Sequence, residues 1–228
     1  MTLGWRWKHR AAAINDTAEM SMENATSPTP LTSIVEAFDK LAKILESQQQ
    51  EGDLHLDTFC QACSLVSILF SCLGLAFKFA EMEYVSKVET LLQAAKTCDT
   101  LENILDFDVA NDTVKSPGSR SRNLRRVRQG LDLIRAIFEN FLATNDDSLK
   151  EAASTAYAQV CAPYHTWAVR TAVAAGMYAL PSRDQLLINL KETHQSAEIK
   201  MKQYIRAALP VIHYIDNLYL SRNIVLDW

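Results

Sequence analysis

The residues of this sequence best suited to bind an anion lie in one stretch, from Ser121 to Phe138. At about 100° per residue along a helix, Arg122 and Arg126 lie about 40° apart and share one face. An apolar band runs beside them at roughly 100–200°, and its members are Leu124, Val127, Leu131, Ile134, Phe138 and Phe141. Two forked guanidinium groups at the rim of an apolar face suit a ligand with an anionic head and an apolar body. The alternative interpretation is a solvated basic stripe on a surface helix.

Two further groups of polar residues could serve the same kind of ligand. Glu83 and Lys87 are i, i+4 neighbours on a predicted helix from Glu83 to Ala95. The predicted apolar face of that helix consists of Val85, Val88, Leu91, Leu92 and Ala95. Taken alone, the Glu83–Lys87 pair is most simply an exposed ion pair that contributes little stability. His165 stands two residues before Trp167, and taken alone it is most simply a core histidine.

The composition favours a helical protein. The 228 residues suffice for one sizeable core, and the small numbers of glycine and proline, six each, argue against a turn-rich all-β fold. We therefore predict a monomeric, nearly all-α protein.

The arginine-rich stretch also raises nucleic acid as an alternative partner. Its basic residues are Arg120, Arg122, Arg125, Arg126 and Arg128. The net charge of -4 argues against a nucleic-acid footprint. We expect no nucleic-acid partner.

The chain divides into a predicted flexible N-terminal tail, residues 1–30, and one domain, residues 31–228. The tail begins with aromatic and basic residues, but the apolar core of a secretory signal does not follow them. We find no linker and no internal repeat within the domain.

Helix boundaries in the domain are predicted from capping residues and proline. Ser33 is expected to cap the first helix, and Ser182 is expected to cap a long helix from Arg183 to Leu209. Because proline removes a backbone donor inside a helix, Pro210 is expected to end that helix. A last helix is predicted from Val211 to Leu220.

The segment from Phe59 to Phe77 carries no charge and is long enough for a membrane span by the crude length rule. Small and polar residues interrupt it, and Lys78 follows at once, so we predict a core helix instead. Cys60 and Cys63 form a CxxC pattern within it, which we assign to core packing because no second pair or nearby histidine accompanies it. The odd number of five cysteines in apolar surroundings fits reduced thiols in a cytoplasmic protein.

Motifs that would indicate catalysis are missing from the sequence. It has no GxGxxG, GxxxxGK, HExxH or GxSxG pattern. We therefore predict a binding protein that is not an enzyme, with no catalytic residue, no metal and no cofactor.

Four features occur together on this helical chain: an acidic residue and Lys at i, i+4; two Arg at i, i+4; His followed two residues later by Trp; and an apolar helical frame. In this order they resemble the glycolipid transfer protein family, over residues 31–228. The strings FKFAEMEYVSKV, RNLRRVRQGLD, APYHTWAVR and GMYALPSR look most like its plant accelerated-cell-death subgroup, whose members bind ceramide 1-phosphate. The resemblance implies a two-layer all-α sandwich that takes lipid chains between its layers and has no catalytic activity.

The resemblance also implies a role for each site residue. Lys87, Arg122 and Arg126 match positions that hold the lipid phosphate. Glu83 matches the acidic residue that holds the ceramide amide and hydroxyl, although the family usually has Asp there, and His165 matches the residue that bonds the amide carbonyl. In the sugar-binding branch Asn and Trp replace Lys87 and Arg126, so this chain looks phosphate-selective.

The expected function is transfer of ceramide 1-phosphate, or phyto-ceramide 1-phosphate, between membranes by a cytoplasmic protein that contacts their surfaces reversibly. The alternative is a lipid-sensing scaffold or cell-death regulator that binds the lipid without bulk transfer. Trp167 is expected to help the protein dock on bilayers, because an exposed Trp prefers the headgroup boundary. Arg128 lies on a different side of the helix from Arg122 and Arg126, so its loss is expected to be mild.

Overall fold

The computed structural model describes residues 28–47, 54–144 and 147–228. Over these residues the chain is nearly all helical. The helices are α1 (Pro30–Ser47), α2 (Leu56–Cys72), α3 (Lys78–Ala94), α4 (Leu101–Ala110), α5 (Arg120–Ala143), α6 (Leu149–Val160), α7 (Trp167–Gly176), α8 (Arg183–Leu190) and α9 (His194–Leu220). Single 3-10 turns occupy Leu75–Phe77, Ala162–Tyr164 and Met177–Ala179. The predicted all-α fold is confirmed.

Helix α5, which carries the arginines, lies at the centre of the packing. It contacts α3, α4, α6 and α9, and α9 packs in turn on α1. The six residues of its predicted apolar band are all buried. Its N-terminus is fixed by two oxygen acceptors: Ser119 Oγ accepts from the backbone N–H of Arg122 at 3.1 Å, and buried Asp108 accepts from that of Ser121 at 2.6 Å.

Helix α2 is the predicted core helix. Most of its apolar side chains are buried, although Ile68 is 39% exposed. Among the described residues no helix is long and apolar enough to cross a membrane. Cys60 and Cys63 are buried free thiols, as expected for packing residues. Burial, followed by the charge of Asp57, raises the pKa of Cys60 to about 12. Gly74, at a φ of 85° that few other residues adopt, then turns the chain towards α3.

The predicted inward face of α3 is partly wrong. Tyr84 and Ala94 are buried beside Val88 and Leu91, whereas Leu92 is 39% exposed. The reason is Tyr84, which the apolar pattern left out. Its hydroxyl donates to the carbonyl of Cys63 at 3.0 Å and its ring packs on Phe70, which rotates the helix towards this side.

The first helix begins at Pro30, so the prediction that Ser33 caps it is wrong. Thr29 has that role, since its Oγ1 accepts from the backbone N–H of Thr32 at 3.3 Å and proline is favourable in the first helical turn. Lys200 of α9 also donates to Thr29 Oγ1, at 3.1 Å. Thr29 and Pro30, which the prediction assigned to the tail, therefore take part in this helix start, and residues 1–27 of that tail lie outside the described residues.

The predicted long helix from Arg183 to Leu209 is wrong in two ways. The helix is interrupted at Lys191, which has a left-handed φ of 57°. Thr193 then caps a new helix through a capping box with Ser196. Pro210 does not end that helix but lies inside it. Tertiary packing outweighs the lost hydrogen bond, because the residues on both sides of Pro210 are buried: Ala207, Ala208, Val211 and Ile212.

Candidate functional site

A cavity of about 430 Å³ opens between α3, α5, α6 and α7. Its wall is mostly apolar, and includes Phe70, Phe77, Tyr84, Leu133, Val169 and Val173. Gly130 of α5 also lines it, and the absence of a side chain there lets Tyr84 pack directly on the α5 backbone. An apolar cavity with a few polar groups is the usual form of a small-molecule site.

Four of the predicted site residues meet at this cavity: Glu83, Lys87, Arg126 and His165. Lys87 Nζ lies 3.2 Å from Glu83 Oε2, so the pair expected at the edge of α3 exists. Arg126 is partly buried, and its Nη1 donates to Gln129 Oε1 at 2.7 Å. Helices α3 and α5 thus place a cation each at the cavity.

Arg122, the remaining predicted residue, does not line the cavity. Its Nη1 donates to the backbone carbonyl of Lys115 at 2.6 Å, and its guanidinium carbon lies 5.9 Å from the centre of the Trp228 ring. It is still close enough to act on the cavity electrostatically, because its charge lowers the pKa of Arg126. Its role as a direct phosphate ligand stays a prediction.

Sequence reasoning missed a buried arginine beside the site. Arg125 is only 3% exposed, its Nε and Nη1 have no hydrogen-bond partner among the described residues, and its guanidinium faces the Tyr164 ring at 5.3 Å. The sequence did contain a sign of this burial. Leu133 and Ala136 lie outside the predicted apolar band and make a second side of α5 apolar, which indicates a helix that is buried on all sides.

The cations at this end of α5 repel one another. Burial lowers the pKa of Arg126, and the charges of Arg122 and Arg125 lower it further, while Glu83 acts in the opposite direction. Removing guanidinium groups from water is costly unless an anion compensates. The cluster is therefore suited to bind an anion of high charge.

His165 also lies on the cavity wall. Its Nδ1 shares a hydrogen bond with the hydroxyl of Tyr157 at 2.8 Å. Burial, followed by the charge of Arg126, lowers the pKa of His165 from its ordinary value of 6.5, so the imidazole is neutral at pH 7. The partly exposed ring is available to a ligand.

Arg128 is not the solvated arginine that the sequence suggested. Its Nε donates to Asp216 Oδ1 at 2.8 Å and its Nη1 donates to Asp132 Oδ2 at 2.6 Å. The expectation that its loss is mild for lipid transfer stays a prediction. These bonds are largely buried and connect α5 to α9, so we expect the loss of Arg128 to lower stability.

Trp167, the first residue of α7, is 74% exposed. Helix α7 contacts the turn Leu75–Phe77, and that turn in turn contacts the turn Met177–Ala179. Exposed apolar side chains lie in these turns or near them. The sequence reasoning missed these residues, which are Leu75, Phe79, Met82 and Tyr178. Phe79 also lines the cavity, so the exposed apolar surface reaches the cavity itself.

The chain is similar in sequence to known proteins. Residues 54–192 match the glycolipid transfer protein (GLTP) family. The chain is 64% identical to an Arabidopsis thaliana ACD11 homolog protein, over 88% of this chain and 89% of the relative. It is 25% identical to the ceramide-1-phosphate transfer protein of Mus musculus, over 72% of this chain and 82% of the relative.

The fold matches a solved structure closely. A crystal structure of an Arabidopsis accelerated-cell-death 11 (ACD11) point mutant complexed with ceramide-1-phosphate has a TM-score of 0.85 and 48% identity, and the match covers 89% of this chain and 100% of that one. The two-layer helical sandwich that the resemblance implied is thereby confirmed. The chain belongs to the glycolipid transfer protein family.

Proposed function

We propose that this protein binds ceramide 1-phosphate, or its phyto-ceramide form, and carries it between membranes without a covalent step. The observation that carries the proposal is the cluster of mutually repelling cations at the cavity, with Lys87 and Arg126 on its wall and Arg122 and Arg125 beside it. A phosphate monoester has a charge of about -1.5 to -2 and three strong acceptor oxygens, which such a cluster would neutralise.

Each cation has a distinct part in holding the phosphate. Arg126 offers a planar fork of donors and Lys87 offers a point charge from the neighbouring helix. Arg122 reaches the phosphate after exchanging its bond to the carbonyl of Lys115 for a charged acceptor, which is the stronger bond. A sugar headgroup would leave these charges uncompensated.

The amide of the sphingolipid gives the second element of selectivity. Glu83 accepts from the amide N–H and hydroxyl, and His165 bonds the amide carbonyl. Phosphatidic acid has no amide N–H to satisfy Glu83. Glu83, where the family usually has Asp, holds its carboxylate one methylene further from the backbone.

Transfer follows from the apolar wall of the cavity. Each lipid CH₂ taken into water costs roughly 0.8 kcal/mol, so a lipid with two chains leaves a bilayer slowly unaided. A cavity of similar apolarity removes most of that cost. We assign no group to chemistry on the lipid, and the protein acts as a monomeric carrier rather than an enzyme.

The exposed apolar surface around Trp167 is the proposed docking face. It borders the cavity through Phe79, so a lipid would pass from the bilayer into the protein without crossing water. We place this exchange at cytoplasmic membrane surfaces, with the protein attached reversibly. The ceramide-1-phosphate complex of ACD11 and the name of the mouse relative support the choice of lipid.

Two measurements test this function and its alternative, a lipid-sensing scaffold. Native mass spectrometry of the purified protein should find a sphingolipid with a phosphate monoester, and a glycolipid or phosphatidic acid in its place would contradict the proposal. Transfer between donor and acceptor vesicles separates the two roles. A carrier accelerates ceramide 1-phosphate exchange, whereas a scaffold binds the lipid and leaves the exchange rate unchanged.

A further inference from the structure

His165 shares its hydrogen bond with a tyrosine that the sequence analysis did not single out. Tyr157 lies two turns before it, in α6, and the rings of the two residues are 5.6 Å apart between centroids. Both residues line the cavity. With Nδ1 bonded to Tyr157, the other ring nitrogen, Nε2, has no hydrogen-bond partner among the described residues. One edge of the imidazole is therefore held by the protein and the other is left for a ligand.

Protonation limits this pair to two arrangements. Burial and the charge of Arg126 keep His165 neutral at pH 7, and a neutral imidazole has a single N–H. Burial raises the pKa of Tyr157, so its phenol keeps its proton. Either the phenol donates to Nδ1 and the ring hydrogen sits on Nε2, or Nδ1–H donates to the phenol oxygen and Nε2 is a bare acceptor.

The surroundings of Tyr157 decide between them. In the described part of the chain, Nδ1 of His165 is the hydrogen-bond partner of the phenol oxygen. If Nδ1 carried the hydrogen, the phenol O–H of this partly buried residue would point at nothing within the protein, which is unfavourable. If the phenol donates, its single O–H has an acceptor, and Nε2–H is the imidazole group left to donate to a ligand.

We propose that Tyr157 is a positioning residue that fixes His165 as an Nε2–H donor for the amide carbonyl of the bound sphingolipid. This inference rests on the proposed function. The tyrosine acts twice: it selects the tautomer that can donate to a carbonyl, and it stops the ring from rotating away from the cavity. A lipid that has a hydrogen-bond donor and no acceptor opposite Nε2–H is rejected, because the N–H of His165 and the N–H or O–H of the lipid would then face each other.

The test compares Tyr157→Phe, His165→Ala and the double variant in equilibrium binding of short-chain ceramide 1-phosphate. Tyr157→Phe should weaken binding about three- to tenfold, the size expected for one hydrogen bond made less favourable. In the His165→Ala background, Tyr157→Phe should have no further effect, because Tyr157 acts through His165. Tyr164→Phe removes a hydroxyl from the neighbouring turn and is the matched control, with unchanged affinity expected.

A second measurement reads the tautomer without any lipid. Nitrogen-15 NMR of the His165 imidazole in the free protein should show the hydrogen on Nε2, and Tyr157→Phe should turn this into a mixture. Hydrogen on Nδ1 in the wild-type protein would overturn the inference, as would an equal loss of affinity from Tyr157→Phe with and without His165. If the wild-type protein binds no ceramide 1-phosphate, the proposed function fails, and the NMR result still decides the arrangement of the pair.

Discussion

We expect headgroup recognition to depend most on Arg126. It lies on the cavity wall, it is partly buried, and its only described hydrogen-bond acceptor is the neutral side chain of Gln129. Arg122 already has a carbonyl acceptor and an aromatic neighbour, and Arg125 is enclosed against Tyr164. Of the three arginines, Arg126 therefore gains the most when a phosphate arrives.

Replacing Arg126 should separate binding from folding. We expect Arg126→Leu to weaken ceramide 1-phosphate binding by about 1.5–3 kcal/mol, which is the contribution of hydrogen bonds to charged groups. This corresponds to a loss of affinity of roughly ten- to somewhat more than a hundredfold. The thermal unfolding temperature should be unchanged or higher, because a cation that its neighbours repel is removed. Calorimetry of lipid binding and of unfolding measures both effects.

The control for this variant is Arg206→Leu. Arg206 is an exposed arginine of α9 that does not line the cavity, so its loss changes the net charge equally. Equal weakening by the two substitutions would mean that overall charge, and not the cavity, attracts the lipid. The buried ion pairs of Arg128 make it unsuitable as a control.

At the scale of the elements, α5 is held in place by polar as well as apolar contacts. Arg128 and Arg135 share Asp132 within the helix, and Arg128 also reaches Asp216 of α9. The bond to Asp216 connects α5 to α9, and together with the buried apolar band it favours the orientation of α5 in which Arg126 faces the cavity.

Breaking this network should lower stability. We expect Arg128→Leu to reduce the free energy of unfolding by about 1.5–3 kcal/mol, because charged hydrogen bonds are lost and Asp216 is left without its partner. Chemical denaturation of Arg128→Leu beside Arg206→Leu gives the comparison. Identical midpoints would show that the Arg128 bonds do not connect α5 to α9 in solution.

Gly130 tests how closely α3 and α5 pack. A Cβ at this position would lie 2.5 Å from Tyr84 Cδ2, closer than such atoms approach. Tyr84 is buried and its hydroxyl is hydrogen-bonded to the backbone carbonyl of Cys63, so its ring cannot move aside easily. We therefore expect Gly130→Ala to overpack the core and to cost about 1–3 kcal/mol of stability. Thermal unfolding of the variant measures this cost. An unfolding temperature as high as that of the wild type would mean that the two helices separate easily.

The elements also show what the sequence could and could not predict. Helical periodicity located α5 and its apolar band, because that information is contained in one continuous stretch. The break at Lys191 could not be predicted in the same way, since neither glycine nor proline marks it. The helix continues through Pro210 because the residues on both sides of it are buried in a helix that packs on α1 and α5, and those contacts are distant in sequence.

The same limit applies to the site. The spacing of Arg122 and Arg126 predicted a shared face, but the orientation of Arg122 depends on Lys115 and Trp228, which come from other parts of the chain. The burial of Arg125 depends in the same way on the turn that follows α6. The sequence therefore indicated the cations of the site and left their individual partners undetermined.

At the scale of the whole molecule, the cavity and the exposed apolar surface form one continuous path. Phe79 belongs to both, and Trp167 begins the helix that closes one side of the cavity. An interfacial Trp and its apolar neighbours favour the boundary between headgroups and acyl chains. We expect this face to point towards the bilayer while lipid is exchanged.

Removing the exposed Trp should impair docking and leave the fold intact. We expect Trp167→Ala to lower the affinity for phosphatidylcholine vesicles by about tenfold, the effect of no longer burying one large apolar side chain. Vesicle flotation and thermal unfolding check the two parts. Ile199→Ala, an exposed apolar residue of α9 outside the cavity, is the control. If both variants bind vesicles like the wild type, the docking face lies elsewhere.

We propose that the cation cluster selects a phosphate headgroup for transfer. The most direct measurement is a vesicle transfer assay in which wild-type protein is offered ceramide 1-phosphate and glucosylceramide with identical ceramide parts. Since only the headgroups differ, the ratio of the two rates reports on Lys87, Arg126 and their neighbours alone. We predict rapid transfer of ceramide 1-phosphate and no acceleration for glucosylceramide. Equal transfer of the two lipids, or transfer of glucosylceramide alone, would contradict the claim.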